Sequence, residues 1–215
     1  MNGGAVGLIE TIRVRNGVAP LWYLHLRRLA TSCKALGVPF PGELLPPSGG
    51  EDRVHRLEVG ARGVQVSERP VGSIRPVHLV LAQVIHRPYR HKTTDRAQFD
   101  QALAAARAAG ADDALLCAPG AGYVAEAGQW GIFWWEGDRL CAPPLDLGIL
   151  PGVARARLAE VAGGIAERRV AAATLGELPL FVANAARGVV PVATLDGRPV
   201  PTSLATMVLA GRFWP

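Results

Sequence analysis

The first part of the chain carries strand-like and helix-like hydrophobic patterns in turn. Apolar residues at helical spacing run over residues 24–36, and Gly37 follows where the end of a helix favours glycine. Asn16-Gly17 is a strong hairpin turn signal between two apolar runs. Strands are predicted at residues 7–15, 18–22, 55–60, 64–67 and 77–85. Together these elements predict a small α+β unit over the first ~85 residues.

A polar, proline-containing stretch at residues 87–91 interrupts this pattern and is the predicted linker between two domains, 1–86 and 92–215. Beyond it, a helix is predicted over residues 95–109, capped by Thr93 or Thr94 and ended by Gly110. Further strands are predicted at residues 114–118, 123–127, 132–135, 139–142 and around 180–192, with helices after Pro151-Gly152 and over 202–209. The prediction is an α+β fold with a small N-terminal α+β domain and a larger C-terminal α/β domain.

The composition is typical of a packed globular protein, with 49% apolar and 19% charged residues. No apolar run reaches the roughly 18 residues of a membrane span, and the N-terminus lacks the basic and apolar regions of a signal peptide. The three cysteines are widely spaced, which indicates neither a disulfide framework nor a metal pair. We therefore expect a cytoplasmic protein with no membrane partner.

The formal net charge of +5 raises the question of nucleic acid binding. The arginines are scattered along the chain, with no dense run and no interleaved aromatic residues. A solvated basic surface explains this pattern better than a nucleic acid groove. The histidines show no metal-ligand spacing either, so we expect no nucleic acid and no metal site.

Lysine is rare in this chain, and its rarity singles out one residue. Of the 23 basic residues only Lys34 and Lys92 are lysines, so arginine serves almost wherever a positive charge suffices. A lysine can lose its proton and act as an amine nucleophile, which arginine cannot. Lys34 falls on a predicted surface helix. Lys92 follows the predicted linker, where clefts form, and is a candidate for imine chemistry, although an exposed lysine at a helix start is the simpler interpretation of the local pattern alone.

Three further features suggest binding chemistry. Glu126 lies inside an apolar strand pattern, where a carboxylate needs a partner such as a protonated ring nitrogen or an arginine. Gly152 stands at a predicted helix start, whose free N–H groups can bind an anion. Arg28 could reach a phosphate, although an ordinary solvated helix arginine is the simpler interpretation of that residue alone.

Taken in order, these segments resemble the class IV aminotransferases, which share fold type IV among pyridoxal-phosphate enzymes and have a D-amino acid aminotransferase-like fold. The resemblance runs from about Gly7 to Leu195 and is closest to the aminodeoxychorismate lyase branch, because of the spelling His91-Lys-Thr-Thr. The matching segments are Gly7-Leu-Ile-Glu-Thr-Ile-Arg13, His25-Leu-Arg-Arg-Leu29, His91-Lys-Thr-Thr-Asp-Arg96, Gly110-Ala-Asp-Asp-Ala-Leu-Leu116, Val124-Ala-Glu126, Ile132-Phe133, Ala142-Pro-Pro-Leu145, Gly148-Ile-Leu-Pro-Gly-Val-Ala-Arg155 and Phe181-Val-Ala-Asn-Ala-Ala-Arg-Gly188. The chain departs from the family pattern at Ala125, Gly131 and Ala154.

The resemblance implies a role for each site residue. Lys92 would form a Schiff base with pyridoxal 5′-phosphate and move protons, and Glu126 would pair with the pyridine nitrogen. Arg28 would bind the phosphate, together with backbone N–H groups of Gly152, Val153 and Ala154 and of Asn184 and Ala185. Glu10 and Thr11 would face the substrate. The family also implies a homodimer.

The reaction implied by the lyase-like motif is conversion of 4-amino-4-deoxychorismate to 4-aminobenzoate and pyruvate, a step of folate biosynthesis. Two other interpretations fit the same motifs. One is a transaminase acting on branched-chain or D-amino acids, which shares the lysine and the glutamate. The other is a non-catalytic dimeric relative that keeps the fold without the cofactor.

Overall fold

The computed structural model describes residues 6–215, which form twelve β-strands and five α-helices. The strands are β1 (Leu8–Val14), β2 (Arg53–Gly60), β3 (Gly63–Pro70), β4 (Val77–Leu81), β5 (Asp113–Cys117), β6 (Val124–Ala127), β7 (Gly131–Glu136), β8 (Arg139–Ala142), β9 (Ala166–Glu167), β10 (Leu180–Asn184), β11 (Gly188–Leu195) and β12 (Arg198–Pro199). The helices are α1 (Trp22–Leu36), α2 (Ala97–Ala108), α3 (Val153–Ala162), α4 (Ala172–Leu175) and α5 (Leu204–Phe213). The predicted mixture of helix and strand is confirmed. Among the described residues, no helix is both long enough and apolar enough to cross a membrane.

A small sheet opens the chain, with strand order β1-β2-β3 and antiparallel pairing throughout. Every residue of β1 except Thr11 is buried, whereas most of β3 is exposed at the edge. Helix α1 packs on one face of this sheet, where Leu29 and Cys33 meet Leu8 and Val59. The helix ends at Gly37, whose positive φ of 64° lets the chain reverse without a steric penalty.

The remaining strands form one nine-stranded sheet, in the order β6-β5-β4-β11-β10-β7-β8-β9, with β12 paired to β11. Strand β4 pairs in parallel with both β5 and β11, so it lies in the interior of this sheet. This corrects the grouping of residues 77–85 with the first unit. The hydrophobic run marked a strand correctly, but only long-range hydrogen bonds decide which sheet a strand joins.

Neighbouring residues along the strands of the large sheet point to opposite faces and belong to two different hydrophobic clusters. Trp134 and Val182 lie in one cluster, whereas their neighbours Phe133 and Phe181 lie in the other. The second cluster is closed by α3 and α5, and the Phe133 and Phe181 rings stack with centroids 5.4 Å apart. Because both faces are covered, the central strands read as continuous apolar runs and not as an alternation.

Two local predictions were wrong. Residues 18–22 form no return strand: Arg15 and Val18 make a single bridge around the Asn16-Gly17 turn, and α1 begins at Trp22. Neither threonine caps α2, whose N-cap residue is Arg96. Instead, the Thr94 hydroxyl accepts a hydrogen bond from the Gly7 N–H group at 3.0 Å. The Thr94 hydroxyl does accept a backbone N–H group, as a capping residue would, but that group is 87 residues away in sequence.

A short backbone pairing joins the segment after residue 91 to the start of β1. The Ile9 N–H group donates to the Lys92 carbonyl at 2.7 Å, and the Thr94 N–H group donates to the Gly7 carbonyl at 2.8 Å. Thr93 forms a bridge with Leu8 between these two bonds. The Lys92 backbone is therefore held by the small sheet, although the residue lies just before α2 of the larger unit.

A buried carboxylate fixes the turn between β6 and β7. Asp113 is fully buried and accepts hydrogen bonds from the N–H groups of Ala114 at 2.8 Å, Gly128 at 3.1 Å and Gln129 at 2.8 Å. Burial raises the pKa of Asp113 to about 6 despite these three donors. A Cβ atom at Gly128 would lie 2.5 Å from the Asp113 Oδ1 atom, so glycine is required there.

We expect Gly128→Ala to destabilise the protein by about 1–3 kcal/mol, because the added methyl group must displace Asp113 from its backbone donors. Urea unfolding followed by circular dichroism measures the change. Gly211→Ala is the matched control, since nothing lies within 4 Å of its Cβ position in α5. That variant should gain about 0.5–1 kcal/mol of helix stability. Equal effects of the two substitutions would contradict the role given to Asp113.

Candidate active site

A cavity of about 240 Å³ lies where the small sheet meets the larger one. Nine of the ten residues predicted for the site line it: Thr11, Arg28, Lys92, Glu126, Gly152, Val153, Ala154, Asn184 and Ala185. They come from six separate stretches of the chain, and the fold brings them together around one cavity. The tenth, Glu10, lies behind that wall.

Lys92 is the lysine that lines the cavity among the described residues. Burial lowers the pKa of its ammonium group to about 7, and the neighbouring positive charges of Arg28 and Arg96 lower it further than the carboxylates of Glu10 and Glu126 raise it. The free amine is therefore far more accessible near neutral pH than it is for an exposed lysine. Lys34, by contrast, is exposed on α1 and lies outside the cavity.

Glu126 projects from β6, where all four residues are buried. Its Oε1 atom is 2.8 Å from the Nε2 atom of His86, and the Leu150 N–H group donates to the same oxygen at 3.4 Å. Both hydrogen bonds recorded for this carboxylate within residues 6–215 end on Oε1. Oε2 is therefore the oxygen available to a group bound in the cavity.

The N-terminus of α3 forms one end of the cavity. Gly152 is its N-cap residue, with extended backbone, and no side chain caps the helix. The N–H groups of Val153 and Ala154 are in the first turn, where a helix has no acceptor of its own for them. Helix α3 spans ten residues, so its dipole adds positive potential at this end. The arrangement suits a phosphate or another anion.

A tight turn between β10 and β11 forms the neighbouring wall. The Asn184 side-chain carbonyl accepts hydrogen bonds from the N–H groups of Ala186 at 3.1 Å and Arg187 at 2.8 Å. Its amide group donates to the Gln129 carbonyl at 3.2 Å, which ties this turn to the one held by Asp113. The Asn184 side chain thus shapes the backbone around Ala185 and is not itself free for a ligand.

Arg28 extends from α1 into the cavity, and the carboxylate of Glu10 binds its guanidinium group on the side away from the cavity. Its Nε and Nη2 atoms donate to the two oxygens of Glu10, at 2.9 Å and 2.5 Å. His25 also meets the Glu10 Oε2 atom through Nδ1 at 2.6 Å. The expectation that Glu10 faces the substrate was wrong. Side chains alternate along β1, so Glu10 points to α1 while Thr11 points to the cavity.

Burial disfavours the charged form of Glu10, but the Arg28 guanidinium and the His25 ring outweigh this and lower the pKa of Glu10 to about 2. The carboxylate is therefore ionised at every physiological pH. It also fixes the Arg28 guanidinium in one plane and leaves the Nη1 edge for a ligand.

The structure gathers six arginines around the cavity, five of which sequence reasoning did not select. Glu126 is the single acidic side chain among the described residues that line it. Arg187 lies over the Trp130 ring, with its guanidinium carbon 4.1 Å from the ring centroid. The arginines are Arg28, Arg56, Arg69, Arg96, Arg155 and Arg187. Arg96, Arg155 and Arg187 lie in segments that carry the family resemblance, although they were not selected as site residues. Nothing in the sequence marked Arg56 or Arg69.

The sequence profile of the family described as "Amino-transferase class IV" matches residues 64–195. The chain belongs to the class IV aminotransferases. The matched range includes Lys92, Glu126, the N-terminus of α3 and the β10–β11 turn. No curated protein matches this class IV aminotransferase.

Solved structures share its fold. A "putative 4-amino-4-deoxychorismate lyase" of Legionella pneumophila is 23% identical, with a TM-score of 0.81 over 96% of this chain and 91% of that one. A branched-chain aminotransferase of Thermoproteus uzoniensis, also 23% identical, has a TM-score of 0.85 over 99% of this chain and 85% of that one. A hypothetical aminotransferase of Mycobacterium tuberculosis in its PLP-bound form is 23% identical, with a TM-score of 0.82 over 99% and 88% of the two chains. These likenesses confirm the predicted fold class.

Pyridoxal 5′-phosphate is the cofactor of this family, as the motifs implied. The residues of this class IV aminotransferase fit that group. One cavity is lined by an amine of lowered pKa and by a carboxylate oxygen and a helix N-terminus that no side chain of residues 6–215 occupies. Ala154 has no hydroxyl, so the groups that this residue offers at the start of α3 are those of its backbone.

We expect Lys92 of the cofactor-free protein to form borohydride-reducible adducts with pyridoxal at a rate that rises through a midpoint near pH 7. The deprotonated amine is the reactive species, and its pKa sets the midpoint. Mass spectrometry of the reduced peptide measures the rate at each pH. Lys92→Ala, which retains Lys34, is the control. A midpoint above pH 9 would contradict the environment described for Lys92.

We expect Glu10→Gln to lower the free energy of unfolding by the order of 3 kcal/mol at pH 7. The pKa of Glu10 in the folded protein lies below its ordinary 4.5, so the ionised carboxylate stabilises the fold above about pH 5. That contribution is lost as the pH falls from about 4.5 to 2. Urea unfolding from pH 7 to pH 2 should show the difference between wild type and variant shrinking over this range. A difference that is constant with pH would argue against the ion pair.

Proposed function

We propose that this chain is a lyase that converts 4-amino-4-deoxychorismate to 4-aminobenzoate and pyruvate. The observation that carries the proposal is the arginine-lined cavity around Lys92. The substrate has two carboxylates and an amine, so it matches an arginine-lined cavity better than the apolar side chain of a branched-chain amino acid does. Four of the six arginines are paired with protein carboxylates, whereas Arg69 and Arg187 have no such partner among the described residues. The lyase-like His91-Lys-Thr-Thr segment supports the same choice.

The residues divide the binding work between them. When bound, pyridoxal phosphate supplies an aldehyde for amines and a pyridine ring that stores electrons. Backbone N–H groups at the start of α3, with Arg28, would hold its phosphate. The Glu126 Oε2 atom would accept a hydrogen bond from the protonated pyridine nitrogen. Lys92 would bind the aldehyde carbon until a substrate amine replaces it.

Lys92 would then carry the protons. Its pKa near 7 allows the released amine to remove the proton from the substrate ring carbon next to nitrogen. The same group can return a proton to the methylene carbon of the enolpyruvyl side chain. The carbon–oxygen bond to the ring breaks, pyruvate leaves, and the ring becomes aromatic. Substrate and products have the same atoms in total, so no water and no second substrate are consumed.

The arginines on the small sheet would orient the substrate. Arg56 and Arg69 lie on neighbouring strands, since Arg56 of β2 pairs with Ser67, two residues before Arg69 on β3. Two residues placed diagonally on one face of an antiparallel pair are within reach of one ligand. Arg187 lies nearby on the β10–β11 turn. Burial lowers the pKa of Arg187, and the positive charge of Arg69 lowers it further. These three would pair with substrate carboxylates.

The reaction is tested by supplying 4-amino-4-deoxychorismate to the holoenzyme without any 2-oxo acid. We expect 4-aminobenzoate and pyruvate in equal amounts, and no product from Lys92→Ala. Arg69→Met should raise KM about tenfold or more, because it removes a charged partner from a carboxylate. Liquid chromatography and a coupled pyruvate assay measure the two products.

The outcomes separate the candidate functions. Turnover that requires a 2-oxo acid, with branched-chain or D-amino acids as donors, would replace the lyase proposal by a transaminase. A holoenzyme with bound cofactor that acts on none of these amines would refute both reactions.

A further inference from the structure

A histidine outside the predicted site contacts the carboxylate at its centre. His86 is 1% exposed, and its Nε2 atom is 2.8 Å from the Glu126 Oε1 atom. His86 does not line the cavity, so it meets a bound group only through Glu126. The family motifs that identified the site do not include it.

The surrounding residues hold His86 firmly. Its backbone N–H group donates to the Cys117 carbonyl at 2.8 Å, which ties it to β5. The Gln98 side-chain amide makes two hydrogen bonds with the backbone of the next residue, Arg87. The Arg87 N–H group donates to Gln98 Oε1 at 2.7 Å, and the Arg87 carbonyl accepts from Gln98 Nε2 at 3.0 Å. Phe99 packs near the ring, with centroids 6.5 Å apart. The imidazole is therefore set in place by α2 and β5 before any ligand binds.

The hydrogen-bonding pattern defines how the ring is used. The buried Nδ1 atom has no partner among the described residues, and Nε2 faces Glu126. A hydrogen on Nδ1 would be a buried donor without an acceptor, which is more costly than an unused lone pair. The hydrogen therefore belongs on Nε2, where it donates to the carboxylate.

We propose that His86 is a positioning residue for Glu126. Its Nε2–H group holds Oε1, fixes the plane of the carboxylate and leaves Oε2 as the acceptor presented to the cofactor's pyridine nitrogen. The proposal rests on the cofactor site, and not on which reaction the holoenzyme catalyses.

Cofactor affinity in a double-mutant cycle tests this assignment. His86→Leu removes the donor, His86→Gln places an amide N–H group at the same reach, and Glu126→Gln removes the charge on which His86 acts. Each variant, and the His86→Leu/Glu126→Gln double variant, is titrated with pyridoxal phosphate and followed by its absorption band. His78→Leu is the matched control, because His78 is exposed on β4 and lies outside the cavity.

We expect His86→Leu to weaken cofactor affinity about tenfold, which corresponds to the loss of one hydrogen bond to a charged group. His86→Gln should stay within about threefold of wild type, and His78→Leu should not differ from it. In the Glu126→Gln background, His86→Leu should change the affinity less than about twofold.

Three results would overturn the proposal. They are equal losses from His86→Leu in both backgrounds, no loss in the wild-type background, and failure of His86→Gln to restore affinity in a protein that melts like wild type. A wild-type protein without a cofactor band that depends on Lys92 would refute it as well. A holoenzyme that releases no 4-aminobenzoate would refute only the lyase reaction, since the cycle measures affinity and not turnover.

Discussion

The candidate site depends on the backbone pairing between the start of β1 and the segment that carries Lys92. Two hydrogen bonds, from Ile9 to Lys92 and from Thr94 to Gly7, join the small sheet to the chain just before α2. Because they act on the backbone, they fix where the Lys92 side chain begins, whatever the residues around it. They also bring Thr11 and Arg28 to the cavity from one side while β6 and α3 close it from the other. Without this junction Thr11 and Arg28 would not line the same cavity as Lys92.

The two basic residues near this junction differ in how their charge is balanced. Arg28 is compensated by Glu10, which is ionised throughout the physiological range, so the pair contributes a fixed guanidinium and little net charge. Lys92 has no such partner at hydrogen-bonding distance among the described residues, and burial lowers the pKa of its ammonium group. One fold thus keeps an arginine permanently charged and a lysine readily deprotonated within the same cavity. The different intrinsic acidities of the two groups make this possible.

Much of this arrangement follows from local sequence. The helix at residues 24–36, the β2–β3 hairpin and strands β5 to β8, β10 and β11 were predicted from apolar periodicity and turn residues, and the structure confirms them. The two-residue strands β9 and β12 were not predicted. Lys92 stood out because the chain has so few lysines, and Glu126 because a carboxylate interrupts an apolar strand. The errors share one cause. The return strand after Asn16-Gly17, the cap expected at Thr93 or Thr94 and the sheet assigned to β4 all required knowledge of a partner distant in sequence.

The sequence by itself determined most of the longer elements, their order and the family, because periodicity, turn chemistry and ordered motifs are local properties of the chain. Only the tertiary structure decided that Glu10 braces Arg28, that His86 holds Glu126 and that scattered arginines converge on one cavity. Each of these is a contact between side chains brought together by long-range strand pairing. The energies of such contacts depend on burial and on hydrogen-bond geometry, and neither exists until the chain has folded.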